Sequence, residues 1–166
     1  MSIYRQAKKS GRSFYLTEEG KETPYQLTVK RLYAFPILKE RILDNEEQLM
    51  ELETLGLDAL RHHDGSIVRM LRPGMRIDPE EAHNTQLAYL RGRIAADEME
   101  VRQVQRALNN VCGDPYFAVV DCKYFQHMTD EETAEKLCCD PSTVRRNRLR
   151  LVRRIALRLY GKEAME

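Results

Sequence analysis

The chain has 166 residues and a formal net charge of +1, with 27 basic residues against 26 acidic ones. This length suits one ordinary domain, or a small domain attached to an extended helical arm, and the balanced charge by itself implies no partner. The sequence contains no apolar run of about 18 residues and no signal-peptide pattern, which argues against a membrane span and predicts a cytoplasmic protein with reduced thiols.

Residues 1–27 form the least regular part of the sequence. Two short segments with strand-like composition, Ser13–Thr17 and Tyr25–Val29, flank a polar stretch. A small hairpin and a poorly ordered tail both remain open, and we treat residues 1–27 as a separate N-terminal segment.

A first long helix is predicted from about Leu32 to Leu55. Apolar residues follow a 3-4 spacing through this segment, and Asn45 occupies one position of the series. Pro36 lies near the beginning, so we expect the main helix to start there, and Gly56 marks its end. Residues 56–77 carry an Asp-Gly and a Pro-Gly pair, which is typical of a loop.

A second long helix is predicted to start at Asp78–Pro79, where a capping residue precedes a proline and two acids. Its apolar residues again follow a 3-4 spacing, with Asp97 at one position of the series. Two such helices joined by a loop predict an antiparallel hairpin, and pairing Leu52 with Leu90 then brings Asn45 opposite Asp97. The alternative is that either apolar seam packs against a second subunit.

Three shorter elements follow. Asp114–Pro115 begins a helix with a short apolar stripe, and Thr129 with Glu132 forms a capping box for the next helix. Ala134 and Leu137 are expected to supply the core contacts of that helix. Cys138 and Cys139 then form the turn into the last helix.

The last helix, residues 141–160, is strongly basic. Asp140 and Pro141 supply the capping residue and first position, and Gly161 stands where a terminating glycine belongs. Residues 141–166 hold eight basic and two acidic residues, a charge of +6, so the preceding 140 residues carry −5. A short helix, a tight turn and a second, basic helix are the parts of a helix-turn-helix that reads a DNA groove.

A helical wheel at roughly 100° per residue separates an apolar arc of this helix from a polar arc. We expect Arg146 and Arg150 to reach guanine edges and Asn147 to pair with adenine, while Thr143 and the helix N-terminus hold a phosphate. The complete set of predicted DNA-binding residues is Ser142, Thr143, Arg145, Arg146, Asn147, Arg150, Arg153 and Arg154. The alternative reading is a solvated basic face on an ordinary surface helix.

Arg148 is the exception on this wheel, because it falls inside the apolar arc. We expect its guanidinium to reach the edge of that arc or to pair with Glu132 or Glu135.

Residues from about Val101 to Tyr160 resemble region 4 of bacterial RNA polymerase sigma factors. The similarity runs through a helix ending in ALNNV, the helix PYFAVVDCKYF and the segment MTDEETAEKLCCDPSTVRRNRLRLVRRIALRLY. The whole chain resembles phage and prophage regulators of the ArpU and RinA type, through the helical segment LYAFPILKERILDNEEQLMELETLG and the loop that follows it. The turn Cys138–Cys139 departs from that pattern, which has a small residue or glycine and a polar residue there. The resemblance implies activation of late phage genes and DNA binding by the second helix of the motif.

The sequence therefore predicts an all-α protein with a long antiparallel helical hairpin, residues 28–112, and a sigma region 4-like helix-turn-helix domain, residues 113–166. The predicted function is a sequence-specific transcriptional regulator on double-stranded DNA, with helix 141–160 in the major groove. Two alternatives remain open: the small DNA-recognition subunit of a phage packaging terminase, and a sigma-like factor that contacts RNA polymerase. A homo-oligomer is compatible with each of them.

No catalytic, metal or cofactor site is predicted. Catalytic triads, paired carboxylates and phosphate-binding loops are absent at usable spacing, so we expect that the protein is not an enzyme. The histidines are not grouped with other ligands, and the cysteines lack paired spacing. These residues are His62, His63, His83, His127, Cys112, Cys122, Cys138 and Cys139.

Overall fold

The computed structural model describes residues 22–56 and 78–165. Within these two ranges the chain is helical and contains no strand, so the all-α prediction is confirmed. The elements are α1 (Pro24–Leu55), α2 (Pro79–Asn109), α3 (Ala118–Val120, continued by a π-helical turn, Asp121–Phe125), α4 (Asp130–Lys136), α5 (Pro141–Tyr160) and a 3₁₀ segment (Gly161–Met165). The predictions for residues 1–21 and for the loop at 57–77 lie outside the described residues.

Helix α1 begins at Pro24, earlier than the sequence analysis predicted. Thr23 Oγ1 accepts from the Gln26 amide at 3.3 Å, and Gln26 Oε1 accepts from the Thr23 amide at 3.0 Å. This reciprocal cap, followed by a proline in the first turn, fixes a helix start that the strand-like composition of Tyr25–Val29 concealed. The alternative of a strand at Tyr25–Val29 is therefore wrong.

Pro36 lies inside α1 and does not start it. A proline there removes one hydrogen bond to the carbonyl four residues earlier, which is that of Leu32. The neighbouring side chains offset this loss, because Leu32 and Phe35 are buried in the main core. Tertiary packing thus keeps α1 continuous through Pro36.

Helices α1 and α2 form the predicted antiparallel hairpin. Arg31, near the start of α1, donates to Glu100, near the end of α2, with Nη2–Oε2 at 2.8 Å. At the other end of the pair, Arg91 of α2 donates to Glu53 of α1 at 2.7 Å. Leu52 and Leu90 pack together in one buried cluster, as the predicted pairing requires.

The two polar residues within the apolar series of the hairpin helices are both buried: Asn45 is 3% exposed and Asp97 is 7% exposed. Both therefore lie inside the hairpin, but no hydrogen bond joins them. The Asp97 carboxylate accepts instead from Arg41, with Nε–Oδ2 at 2.7 Å and a second bond through Nη2. The Nδ2 of Asn45 has no partner among the described residues.

The C-terminal helices pack directly on the hairpin. Tyr33 of α1 lies edge-on to Tyr124, with ring centroids 5.0 Å apart, and Arg31 lies over the ring of Tyr160 at 5.6 Å. One core therefore runs through both predicted segments and holds α5 against α1 and α2. Its buried members are Leu32, Phe35, Val104, Ala107, Leu108, Val111, Val120, Tyr124, Leu151, Val152 and Ile155.

A smaller core joins α3, α4 and α5 through Val119, Ala134 and Val144, with Leu137 packed against it. Ala134 and Leu137 thus supply the predicted contacts of α4. None of the helices in the described ranges is long and apolar enough to cross a membrane.

Candidate nucleic-acid interface

The short helix α4 is built as its sequence predicts. Thr129 Oγ1 accepts from the Glu132 amide at 3.1 Å, and Glu132 Oε2 accepts from the Thr129 amide at 2.7 Å, so the capping box is confirmed. The Thr129 amide and hydroxyl lower the pKa of the Glu132 carboxyl, because they donate hydrogen bonds to its charged form.

The turn between α4 and α5 bends at Cys138, which has a φ of 50°. This left-handed conformation is one that glycine adopts most easily. The amide of Cys139 donates to the carbonyl of Ala134 at 2.9 Å and closes the turn. The cysteine pair therefore makes the predicted turn, with Cys138 in the left-handed conformation.

Asp140 caps α5 completely. Its Oδ1 accepts from the Ser142 amide at 2.7 Å, and its carbonyl accepts from the amides of Thr143 and Val144. Hydrogen bonds from the Ser142 side chain and amide lower the pKa of the Asp140 carboxyl. The predicted phosphate site at this helix N-terminus is therefore wrong, because a carboxylate of the protein already occupies it.

Five residues at 3-4 spacing form the outermost line of α5, which we call the crest: Ser142, Arg146, Leu149, Arg153 and Leu157. The two arginines are exposed, and neither has an ion pair or hydrogen bond within the described part of the chain. The two leucines are also exposed, Leu149 by 39% and Leu157 by 47%. The crest thus presents unpaired guanidinium groups separated by apolar side chains.

On one side of the crest, acids of α4 hold two arginines. Arg145 Nη2 donates to Glu131 at 2.9 Å, and its Nε lies 3.5 Å from Asp130. Arg148 donates to Asp130 and is about a quarter exposed, so its predicted place outside the polar arc is confirmed. Arg148 pairs with Asp130 and not with the predicted Glu132 or Glu135. The backbone amide of Glu131, and then Arg145, lower the pKa of the Glu131 carboxyl.

On the other side, Asp114 holds two further arginines. Arg150 donates to both carboxylate oxygens, at 2.7 and 2.8 Å, and Arg154 donates at 3.2 Å. Asp114 also accepts from the Tyr116 amide, and only 8% of its side chain is exposed. Arg150, followed by the Tyr116 amide, lowers the pKa of the Asp114 carboxyl. Asp114 therefore keeps its charge and orients both guanidinium groups.

Asn147 does not lie on the outward face where the wheel placed it, since it is only 7% exposed. Its Nδ2 donates to the Thr143 carbonyl at 3.0 Å, and its Oδ1 accepts from Arg150 Nε and Nη2. Asn147 lies about 100° around the helix from Arg146, at the border of the polar arc, where its short side chain turns inward. One N–H of its amide and its Oδ1 are thus engaged inside the protein, which argues against the predicted pairing with adenine.

The predicted set of DNA-binding residues thus divides into three groups. Within the described ranges Arg146 and Arg153 are exposed and unpaired, as is Arg158, which was not among the predicted residues. Ser142 is exposed and Thr143 half-buried at the start of the helix. The remaining members are held by the protein itself: Arg145, Asn147, Arg150 and Arg154.

The acids that hold these arginines, Asp114 and Asp130, were not among the predicted site residues. The signal that was present is electrostatic: a helix with seven arginines and no acid is attached to a body with a charge of −5. Asp130 and Asp114 lie 18 and 36 residues before the arginines Arg148 and Arg150 that they hold, so the sequence did not indicate which acids would pair with the helix.

No metal or disulfide site is found in the described ranges. No group of three or more histidine, cysteine or acidic side chains there is placed to hold a metal ion. The thiols of Cys112, Cys122, Cys138 and Cys139 are all free. His62 and His63 lie outside these ranges.

No protein-family model, curated protein or solved structure matches the chain. The similarity to sigma region 4 and to phage regulators therefore stays a prediction from the sequence.

Proposed function

We propose that this protein is a transcriptional regulator that binds double-stranded DNA sequence-specifically, with α5 in the major groove. The observation that carries the proposal is the crest of α5, where Arg146 and Arg153 project from a rigid helix with no acid beside them in the line. The major groove of B-DNA is about 12 Å wide and admits an α-helix of this kind.

The two free arginines take different roles in this proposal. Arg146 lies in the N-terminal half of α5, the part of a recognition helix that reaches base edges, and its fork suits the O6 and N7 of guanine. Arg153 lies two turns further on and contacts the phosphate backbone. Arg145, Arg150 and Arg154 flank the crest with their charge partly compensated by acids of the protein, so they contribute less to affinity than their number suggests.

The experiment that tests this proposal is in vitro selection from random double-stranded DNA, followed by footprinting of the enriched sequence. Arg146→Ala is expected to lower affinity for that sequence by about 1–3 kcal/mol and to relax its preference at one position. Arg102→Ala is the matched control, because it removes an exposed arginine from α2 and leaves α5 unchanged.

Two outcomes count against the proposal. Failure to enrich any sequence removes the claim of specific binding. Enrichment with an unchanged preference in Arg146→Ala removes the assignment of Arg146 to a base edge. The regulatory part is tested separately, by transcription in vitro from a template that carries the selected sequence and by co-purification of RNA polymerase.

A second candidate is the small DNA-recognition subunit of a packaging terminase, which also needs an oligomer. The observation that favours it is the exposure of large apolar side chains on the hairpin. Leu43 and Met50 lie seven residues apart on one face of α1 and are 65% and 63% exposed, while Met99 of α2 is 58% exposed. A ring seen by light scattering and electron microscopy supports this candidate, and a monomer on promoter DNA argues against it.

A further inference from the structure

Leu149 is a large apolar side chain in the middle of a cationic surface. It lies three residues after Arg146 and four residues before Arg153, so it stands between the two unpaired arginines of the crest. It is 39% exposed and belongs to none of the buried clusters of the described residues. An isolated exposed leucine is ordinary, but this one lies on the line of α5 that faces furthest from the protein.

The neighbours of Leu149 leave its surroundings open. Arg145 is drawn to one side by Glu131, and Arg150 is drawn to the other side by Asp114. Neither long side chain therefore has to cover the leucine. In a DNA groove entered by this crest, Leu149 meets the base edges together with Arg146.

We infer that Leu149 is a specificity determinant that contacts the C5-methyl group of a thymine beside the base read by Arg146. This inference rests on the proposed function. The methyl group of thymine is the one apolar feature on the floor of the major groove, and apolar side chains recognise it. A side chain that offers neither donor nor acceptor selects it over the polar edge of cytosine.

The spacing along α5 assigns this thymine a position. Three residues of helix rise about 4.5 Å, and successive base pairs are about 3.4 Å apart. Leu149 therefore reaches the base pair adjacent to the one contacted by Arg146. Leu157 lies eleven residues from Arg146, about 16 Å along the axis, beyond the same base pairs. It is thus a matched control: a similarly exposed leucine on the same line of the helix.

The test replaces each thymine of the selected site, one at a time, by deoxyuridine, which lacks only the methyl group. For the wild-type protein we expect about a fourfold loss of affinity at one thymine, from the burial of one methyl group. Leu149→Ala is expected to lose less than about 1.5-fold on the same replacement, since the contact is already missing. Leu157→Ala keeps the fourfold response, and circular dichroism checks that both variants fold.

The inference and the proposed function fail differently. If the protein binds no DNA, the proposed function fails and the inference with it. If a sequence is selected but contains no thymine next to the base affected by Arg146→Ala, the inference alone is overturned. The same holds if no deoxyuridine weakens binding, or if Leu149→Ala responds as the wild type does.

Discussion

Asp114→Asn is the substitution that best tests how the charge of α5 is divided. In the wild-type protein, Asp114 accepts from Arg150 and Arg154 and compensates part of their charge. Asparagine keeps the shape of the side chain and an oxygen that can accept from the Tyr116 amide, but it removes the negative charge. We therefore expect a folded variant in which both guanidinium groups become available to DNA phosphates.

The expected magnitude follows from counterion release. Three arginines of α5 have no partner in the described ranges: Arg146, Arg153 and Arg158. With about 0.9 counterions released for each phosphate that is neutralised, the slope of log affinity against log salt is about −2.7 for the wild type. Two further arginines make it about −4.5 in the variant. Across a fourfold range of salt, the variant thus loses about tenfold more affinity than the wild type.

The assay is fluorescence anisotropy with a non-specific duplex at several salt concentrations between about 50 and 200 mM, the range in which such dependence is steep. Asp44→Asn is the control, because it makes the same change of charge at an exposed residue of α1 that has no ion pair among the described residues. It is expected to leave the slope near that of the wild type. Equal slopes for wild type and Asp114→Asn would refute the reasoning that Asp114 withholds these arginines from DNA.

Three predictions concern stability. Asn45→Leu removes a buried amide with an unpaired Nδ2 and is expected to raise the free energy of unfolding by about 1 kcal/mol; a lower melting temperature contradicts this. Thr129→Ala breaks the capping box of α4 and should cost about 0.5–2 kcal/mol in urea unfolding, whereas an unchanged midpoint would show that the cap is dispensable. The pKa values of the Asp114 and Asp140 carboxyls are lowered in the folded protein. The stability that these charged carboxylates contribute to the fold is therefore complete above the ordinary aspartate pKa of about 3.9 and is lost as the pH falls below it. Urea midpoints that stay constant from pH 6 to pH 3 would contradict that assignment.

The sequence predicted most of the helical elements that depend on local signals; one exception is the predicted helix start at Asp114–Pro115, because α3 begins only at Ala118. The N-cap positions Asp78 and Asp140 and the terminating residues Gly56 and Gly161 stand where the pattern placed them, although only the side chain of Asp140 makes a capping hydrogen bond. The start of α1 was predicted wrongly because Pro36 is a strong local breaker, and its cost is offset by packing on α2 and α5, which the sequence of α1 does not contain.

The candidate interface was predicted less completely than the fold. A helical wheel assigns each residue a direction from its own position, and this sufficed for Arg146, Arg153 and Arg148. It cannot show which side chains find a partner on another element. Asn147 and Arg150 were misassigned for this reason, since their partners are the Thr143 carbonyl and the Asp114 carboxylate.

The separation of the two faces of α5 bears on how its binding preference can diversify. Leu151 and Ile155 are fully buried and join the helix to the hairpin, so substitutions there cost stability. Arg146 and Leu149 belong to no buried cluster of the described residues, and substitutions at such surface positions change stability by about 0.5 kcal/mol or less. A lineage can therefore exchange the side chains of the crest, and with them its target, without passing through poorly folded intermediates.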